Sequence, residues 1–119
     1  MKFMIVDDSK LSRKKLSDLV RNLGYEVVCE AVDGIDAIEK FKEYKPNYIL
    51  TDLEMPKMKG DEASKKILDI DSAVTIILIT SITDKKELLN AIRIGVKKVM
   101  QKPINADKLK IVIDELKDR

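Results

Sequence analysis

Short apolar runs along the chain alternate with longer segments in which apolar residues recur every three or four positions. The short runs are typical of buried strands, and the recurring spacing is typical of amphipathic helices. This alternation occurs five times, so the pattern predicts five strands, each followed by a helix. The predicted strands are Lys2–Val6, Glu26–Ala31, Tyr48–Asp52, residues 74–79 and the weaker Lys98–Gln101.

Each predicted helix has end signals and one apolar face. Ser9 and Asn105 are suitable N-caps for the first and last helices, and Gly24 follows the end of the first. Asp84 and Glu87 have the spacing of a capping box at the start of the fourth. The residues expected to face the core are Leu16, Leu19, Val20, Leu23, Ala37, Ile38, Phe41, Ala63, Ile67, Ile70, Leu88, Ala91, Ile92, Leu109, Val112, Ile113 and Leu116.

Strands that alternate with helices in this way favour a parallel sheet covered on both faces. Crossovers between parallel strands are right-handed, and the acids that end the first and third strands can share chemistry only if those strands are neighbours. The order 2-1-3-4-5 satisfies this condition and places a site at the switch point between strands 1 and 3. We therefore expect an α/β fold, a flavodoxin-like (βα)5 doubly wound parallel sheet, in a single domain over residues 1–119.

Polar residues stand at the ends of four predicted strands. Asp7 and Asp8 follow the first, Asp52 ends the third, Thr80 follows the fourth and Lys102 follows the fifth. Each has an ordinary structural explanation when taken alone, as a capping acid, a strand threonine or a solvated lysine. The carboxyl ends of parallel strands share one edge of the sheet, so the combination favours one functional site.

The chemistry of this combination indicates phosphoryl transfer. Three close carboxylates repel one another unless a cation lies among them. A hard divalent ion such as Mg²⁺ suits oxygen ligands and usually also binds a phosphate oxygen. A hydroxyl and an ammonium group facing that ion would complete a phosphoryl pocket, and a carboxylate beside Mg²⁺ can act as the nucleophile.

Composition narrows the classes of function. The net charge of +2 gives no strong field for nucleic acid or an anionic membrane, so we expect neither as a partner. The longest strongly apolar run, residues 74–79, is far below the roughly 20 residues of a membrane span, and a cytoplasmic location is expected. With no histidine and one cysteine, a metal would be held by oxygen. Cys29 is expected to be a small buried hydrophobe in the second strand.

The chain resembles the receiver domains of bacterial two-component response regulators, and its layout is similar to that of the single-domain chemotaxis type. The resemblance covers essentially the whole chain. It rests on the motifs Ile5-Val6-Asp7-Asp8-Ser9, Asp52-Leu53-Glu54-Met55-Pro56 with Gly60, Thr80-Ser81 and Lys102-Pro103.

The resemblance implies a role for each acid. Asp52 would be the phosphoacceptor. Asp8 and Asp52 would bind Mg²⁺ directly together with the backbone carbonyl of Glu54, and Asp7 would act mainly through a water. The resemblance also implies a phosphoryl donor, which would be a histidine kinase or a phosphotransfer protein.

The resemblance implies two further catalytic side chains and an output face. Lys102 would pair with the phosphoryl oxygens, and Thr80 would hydrogen-bond to them once Asp52 is modified. The Lys102-Pro103 bond is expected to be cis. The chain would be a monomeric switch that binds an output protein at the fourth helix and fifth strand, with no enzymatic activity beyond its own phosphorylation and dephosphorylation.

The sequence departs from the family pattern at two places. An aromatic residue usually stands three positions before the family's lysine, but this chain has Val99 there. Burial of a rotating ring therefore cannot transmit the signal, and a motor-switch output is in doubt. Lys97 and Lys98 stand where regulators fused to winged-helix domains usually have two acids, so the dimer salt bridges of that subfamily are not expected.

Two other functions remain open. A metal-dependent phosphohydrolase with an Asp nucleophile needs a second acid two residues on, where Glu54 stands, but it also needs a substrate-covering cap for which the chain has no long insertion. A receiver that binds proteins without being phosphorylated is disfavoured by the complete acidic set. Two groups receive ordinary structural roles: a solvated helix face made of Lys10, Arg13, Lys14 and Lys15, and loop packing by Met55 and Met58.

Overall fold

Every predicted strand and helix is present in the structure, a computed structural model that describes residues 1–117. The strands form one parallel sheet in the order β2-β1-β3-β4-β5, which confirms the predicted fold. The strands are β1 (Lys2–Val6), β2 (Glu26–Ala31), β3 (Tyr48–Asp52), β4 (Thr75–Thr80) and β5 (Lys98–Gln101), and the helices are α1 (Lys10–Asn22), α2 (Gly34–Tyr44), α3 (Gly60–Ile70), α4 (Lys85–Ile94) and α5 (Ala106–Lys117).

The core lies on both faces of the sheet because successive strand residues point to opposite sides. In β1, Met4 and Val6 face one apolar cluster, and Phe3 and Ile5 face the other. Helices α2, α3 and α4 cover the first cluster, and α1 and α5 cover the second. Their buried contributions are Ala37, Phe41, Ala63, Ile67 and Ala91 to the first cluster, and Leu16, Val20, Leu109, Val112 and Ile113 to the second.

Sheet register aligns the ends of the strands that carry the polar residues. Val6 pairs with Thr51 and Asp52 pairs with Ile79, so β1, β3 and β4 end at one edge. Residues that follow these strands, including Asp7, therefore emerge side by side.

A glycine allows α3 to start directly behind β3. A Cβ on Gly60 would lie 2.2 Å from the carbonyl oxygen of Asp52, so a larger residue would displace the end of the strand. The Gly60 amide donates to the Leu53 carbonyl at 2.8 Å, and the buried Ser64 hydroxyl donates to the Gly60 carbonyl at 2.6 Å. The loop after Asp52 is thus anchored to the first turn of α3.

The prediction that Ile70 and Ile92 face the core is wrong. Ile70 is 48% exposed because it is the last residue of α3, and Ile92 is 50% exposed. Helix α4 packs at the edge of the sheet, where only a narrow stripe is covered: Ala91 is buried, and Leu88 is half-buried.

Cys29 is half-buried rather than fully buried, in the edge strand β2, and burial raises the pKa of its thiol to about 11.

The predicted capping box is half correct. The Asp84 carboxylate caps α4, but it accepts from the Lys86 amide at 2.8 Å. The Glu87 carboxylate does not return to the helix start, because it pairs with the Lys59 ammonium at 2.8 Å. This ion pair links the start of α4 to the residue that precedes α3.

Within residues 1–117 the structure contains no helix with both the length and the apolar character that a bilayer crossing requires.

Candidate functional site

Three predicted acids lie together where β1 and β3 end. One carboxylate oxygen from each of Asp7, Asp8 and Asp52 lies within 4.8 Å of the others. Asp7 and Asp52 are buried, and Asp8 is exposed. The arrangement follows from the sheet order, because β1 and β3 are neighbours although they are separated by β2 in sequence.

The Asp7 carboxylate is held by the start of α1. Its Oδ1 accepts from the Ser9 amide at 2.9 Å, and its Oδ2 accepts from the Ser12 hydroxyl at 2.5 Å. Both oxygens therefore have protein partners, which leaves Asp7 better suited to an indirect role at a metal than to direct ligation.

The Asp52 carboxylate is only partly satisfied. Its Oδ2 lies 3.3 Å from the Lys102 ammonium. Its Oδ1 is buried and has no hydrogen-bond partner in the part of the chain that the structure describes. Burial raises the pKa of the Asp52 carboxyl above its ordinary value, and the Lys102 ammonium offsets only part of that rise.

The acidic cluster fits a magnesium ion. A buried carboxylate oxygen without a partner is costly, and a cation bound beside it removes that cost. Asp8 and Asp52 could hold Mg²⁺ directly, because oxygen donors are the ligands this ion prefers. The Glu54 carboxylate is exposed and lies 3.4 Å from the Ser81 hydroxyl, so a contribution from this residue would come from its backbone carbonyl.

Thr80 is the last residue of β4, and Lys102 directly follows β5. Thr80 is fully buried, and its Oγ1 accepts from the Ile82 amide at 2.9 Å. The Lys102 amide donates to the Thr80 carbonyl at 2.9 Å, which fixes the backbone from which the Lys102 side chain reaches Asp52. The Lys102-Pro103 bond is cis, which confirms that prediction.

Two residues of the site were missed from the sequence. Ser12 binds the Asp7 carboxylate, and Arg13, assigned to the solvated face, has a side chain only 15% exposed. The prediction for Arg13 is wrong because its guanidinium turns inward to the Asp7 carbonyl. Its spacing of three and seven residues from the buried Leu16 and Val20 was an available signal, since such residues share one helix face.

Comparison with known proteins finds relatives that agree with the resemblance seen in the sequence motifs. A family model described as "Response regulator receiver domain" matches residues 3–114. The chemotaxis protein CheY of Thermotoga maritima is 37% identical over 106 residues, covering 89% of this chain and 88% of that protein. The chemotaxis protein CheY of Bacillus subtilis is 36% identical over 108 residues, covering 91% of this chain and 90% of that protein.

A solved structure shows the same fold. The CheX–CheY–BeF3–Mg²⁺ complex from Borrelia burgdorferi matches with a TM-score of 0.93, covering 98% of this chain and 88% of that chain. The sequence identity is 24%, so this likeness concerns the fold alone.

Proposed function

This chain belongs to the CheY-like response regulator receiver domains, a family of phosphorylation-dependent signalling, and we propose that its switch is phosphorylation of Asp52. The phosphoryl donor is a histidine kinase or a phosphotransfer protein. The proposal is carried by one observation: the buried Asp52 Oδ1, which has no hydrogen-bond partner among residues 1–117, lies in a carboxylate cluster, while Oδ2 faces Lys102. A structural aspartate would satisfy both oxygens.

The transfer step uses groups of this chain in defined roles. One Asp52 oxygen forms a bond to phosphorus as the phosphorus–nitrogen bond of the donor's phosphohistidine breaks, and the leaving nitrogen keeps the electron pair. Lys102 neutralises charge on the phosphoryl oxygens. Asp8, Asp52 and the Glu54 carbonyl would hold Mg²⁺, which would supply further charge neutralisation when bound.

The metal assignment predicts a loss in Asp8→Ala. Because Asp8 is exposed and belongs to the acidic cluster, its removal should weaken Mg²⁺ binding by about tenfold or more while the fold is retained. Relief of repulsion should leave the metal-free variant at least as stable as the wild type. Thermal melts with and without Mg²⁺ measure both effects. A metal-dependent stabilisation that survives the substitution would place the ion elsewhere.

The proposed function is tested against the phosphohydrolase alternative by supplying two small phosphoryl donors. We expect acetyl phosphate with Mg²⁺ to add one phosphoryl group, seen by intact-mass spectrometry, and p-nitrophenyl phosphate to show no sustained turnover. Continuous release of p-nitrophenol would identify an enzyme. Absence of any phosphorylated species would instead contradict the switch.

The output partner binds, on this proposal, to the face formed by α4 and β5. Leu89 and Ile92 are 59% and 50% exposed on α4, and the exposed Lys97 and Lys98 lie at the start of β5. Exposed apolar side chains with polar groups around them are typical of a protein-interaction site. The chain itself is proposed to act as a monomer.

A further inference from the structure

Arg13 connects three parts of the molecule beside the acidic cluster. It lies in the first turn of α1, its Nη1 donates to the Asp7 carbonyl at 2.9 Å, and its Nε pairs with Glu30 of β2 at 3.1 Å. The guanidinium is the planar, forked group that can make both contacts at once. Since its side chain is 15% exposed, the arrangement is held by packing as well as by charge.

The acceptor of this bond determines what Arg13 controls. The Asp7 carbonyl belongs to the peptide that joins Asp7 to Asp8, so its orientation sets the direction in which the Asp8 side chain leaves the backbone. The Asp7 carboxylate is fixed separately by Ser9 and Ser12. The Asp8 carboxylate has no hydrogen bond or ion pair to the residues described, so its backbone is what places it.

Glu30 keeps the Arg13 guanidinium away from the centre of the acidic cluster. A cation next to three carboxylates is attracted to them and would occupy the place of a metal ion. Glu30 instead holds the guanidinium on the β2 side, and its other oxygen lies 3.9 Å from Arg21. The backbone of Glu30 is itself fixed, because its carbonyl accepts from the Lys40 ammonium at 2.7 Å.

We propose that Arg13 is a positioning residue, held by Glu30, that orients the Asp7–Asp8 peptide so that Asp8 can bind a divalent metal. The inference rests on the proposed function, because it assigns Asp8 as a metal ligand. A positioning role and a purely electrostatic role of Arg13 predict opposite changes in Mg²⁺ affinity when Arg13 is removed. Removal of a cation from an acidic site strengthens metal binding by electrostatics alone, whereas loss of positioning weakens it.

The experiment is a Mg²⁺ titration of Arg13→Met followed by the amide shifts of Asp8 and Ser9. We expect binding about tenfold weaker than in the wild type, and only partial recovery in Arg13→Lys, which keeps a donor but not the fork that reaches both partners. Lys14→Met is the matched control, because Lys14 is 73% exposed and pairs with Asp18 rather than with the site. That control should bind Mg²⁺ as tightly as the wild type or more tightly.

The positioning role and the proposed function fail on different results. If the wild type binds Mg²⁺ and Arg13→Met binds it equally tightly or more tightly, the positioning role is overturned and the proposed function is left intact. Failure of the wild type to bind Mg²⁺ would overturn both. If Arg13→Met does not fold, Arg13→Gln provides the test, because it also removes the cation and the forked contact to Asp7 and Glu30. It should weaken Mg²⁺ binding, and binding as tight as in the wild type or tighter would overturn the role.

Discussion

Asp52→Asn is expected to take up no phosphoryl group from acetyl phosphate under conditions in which the wild type becomes singly phosphorylated. The amide of Asn has no anionic oxygen to attack phosphorus, and Asp52 is the acid whose oxygens face both the carboxylate cluster and Lys102. The wild-type product should be stable in acid and labile in base, as an acyl phosphate is. Intact-mass spectrometry measures both results.

A matched control and a stability measurement make the result specific. Asp69→Asn, at an exposed position on α3, should be phosphorylated normally. Burial raises the pKa of Asp52, so the folded chain binds a proton there more readily than the unfolded chain does. Above that raised pKa the ionised carboxylate lowers stability, and Asn removes this cost near neutral pH. The Asn variant without Mg²⁺ should therefore melt no lower than the wild type, and undiminished labelling of it would contradict the assignment.

The fold was predictable because several sequence signals agreed with one another. Apolar runs, glycines after helices and capping side chains indicated the same elements, and local consistency of this kind specifies a fold. The site followed from the topology, because acids at the ends of β1 and β3 must meet once these strands are neighbours. The structure accordingly brings Asp7, Asp8 and Asp52 within 4.8 Å.

Interactions between elements that are distant in sequence were not predictable. Glu87 has the correct spacing for a capping box, but Lys59 lies close in space and forms the stronger charged contact. Arg13 has the spacing of the apolar face, yet a basic residue in a lysine-rich helix suggests a solvated surface. Its inward position depends on Glu30, which is supplied by a different strand. Periodicity within one helix carries no information about such a partner.

Thr80 links the site to the loop that precedes α4. Its hydroxyl oxygen accepts from the Ile82 amide at 2.9 Å, and the Ile82 carbonyl accepts from the Gln101 amide group at 3.2 Å. The loop at residues 81–84 is therefore held by one side chain from β4 and one from β5. A Thr80 hydroxyl that moves toward a phosphoryl group on Asp52 would take this loop with it.

The residue at the family's aromatic position does not offer another route. Val99 is half-buried and packs against the apolar cluster beneath α4. It has neither a ring that can rotate between two positions nor a donor that can follow the loop. Truncation of Val99 is therefore expected to change packing, whereas truncation of Thr80 removes the group that we propose contacts the phosphoryl oxygens.

We expect Thr80→Ala to be phosphorylated but to lose the shift of the loop at residues 81–84 and of the start of α4. A charge-assisted hydrogen bond contributes about 1.5–3 kcal/mol, enough to shift a two-state loop by roughly one to two orders of magnitude. Thr80→Ser is the matched control, because it loses the same methyl group as Ala and keeps the hydroxyl. Amide chemical shifts over residues 81–100, with and without beryllofluoride, report the coupling. The wild-type shift pattern should persist in Thr80→Ser and in Val99→Ala, and it should be lost in Thr80→Ala. A full pattern in Thr80→Ala would show that the signal leaves the site by another path.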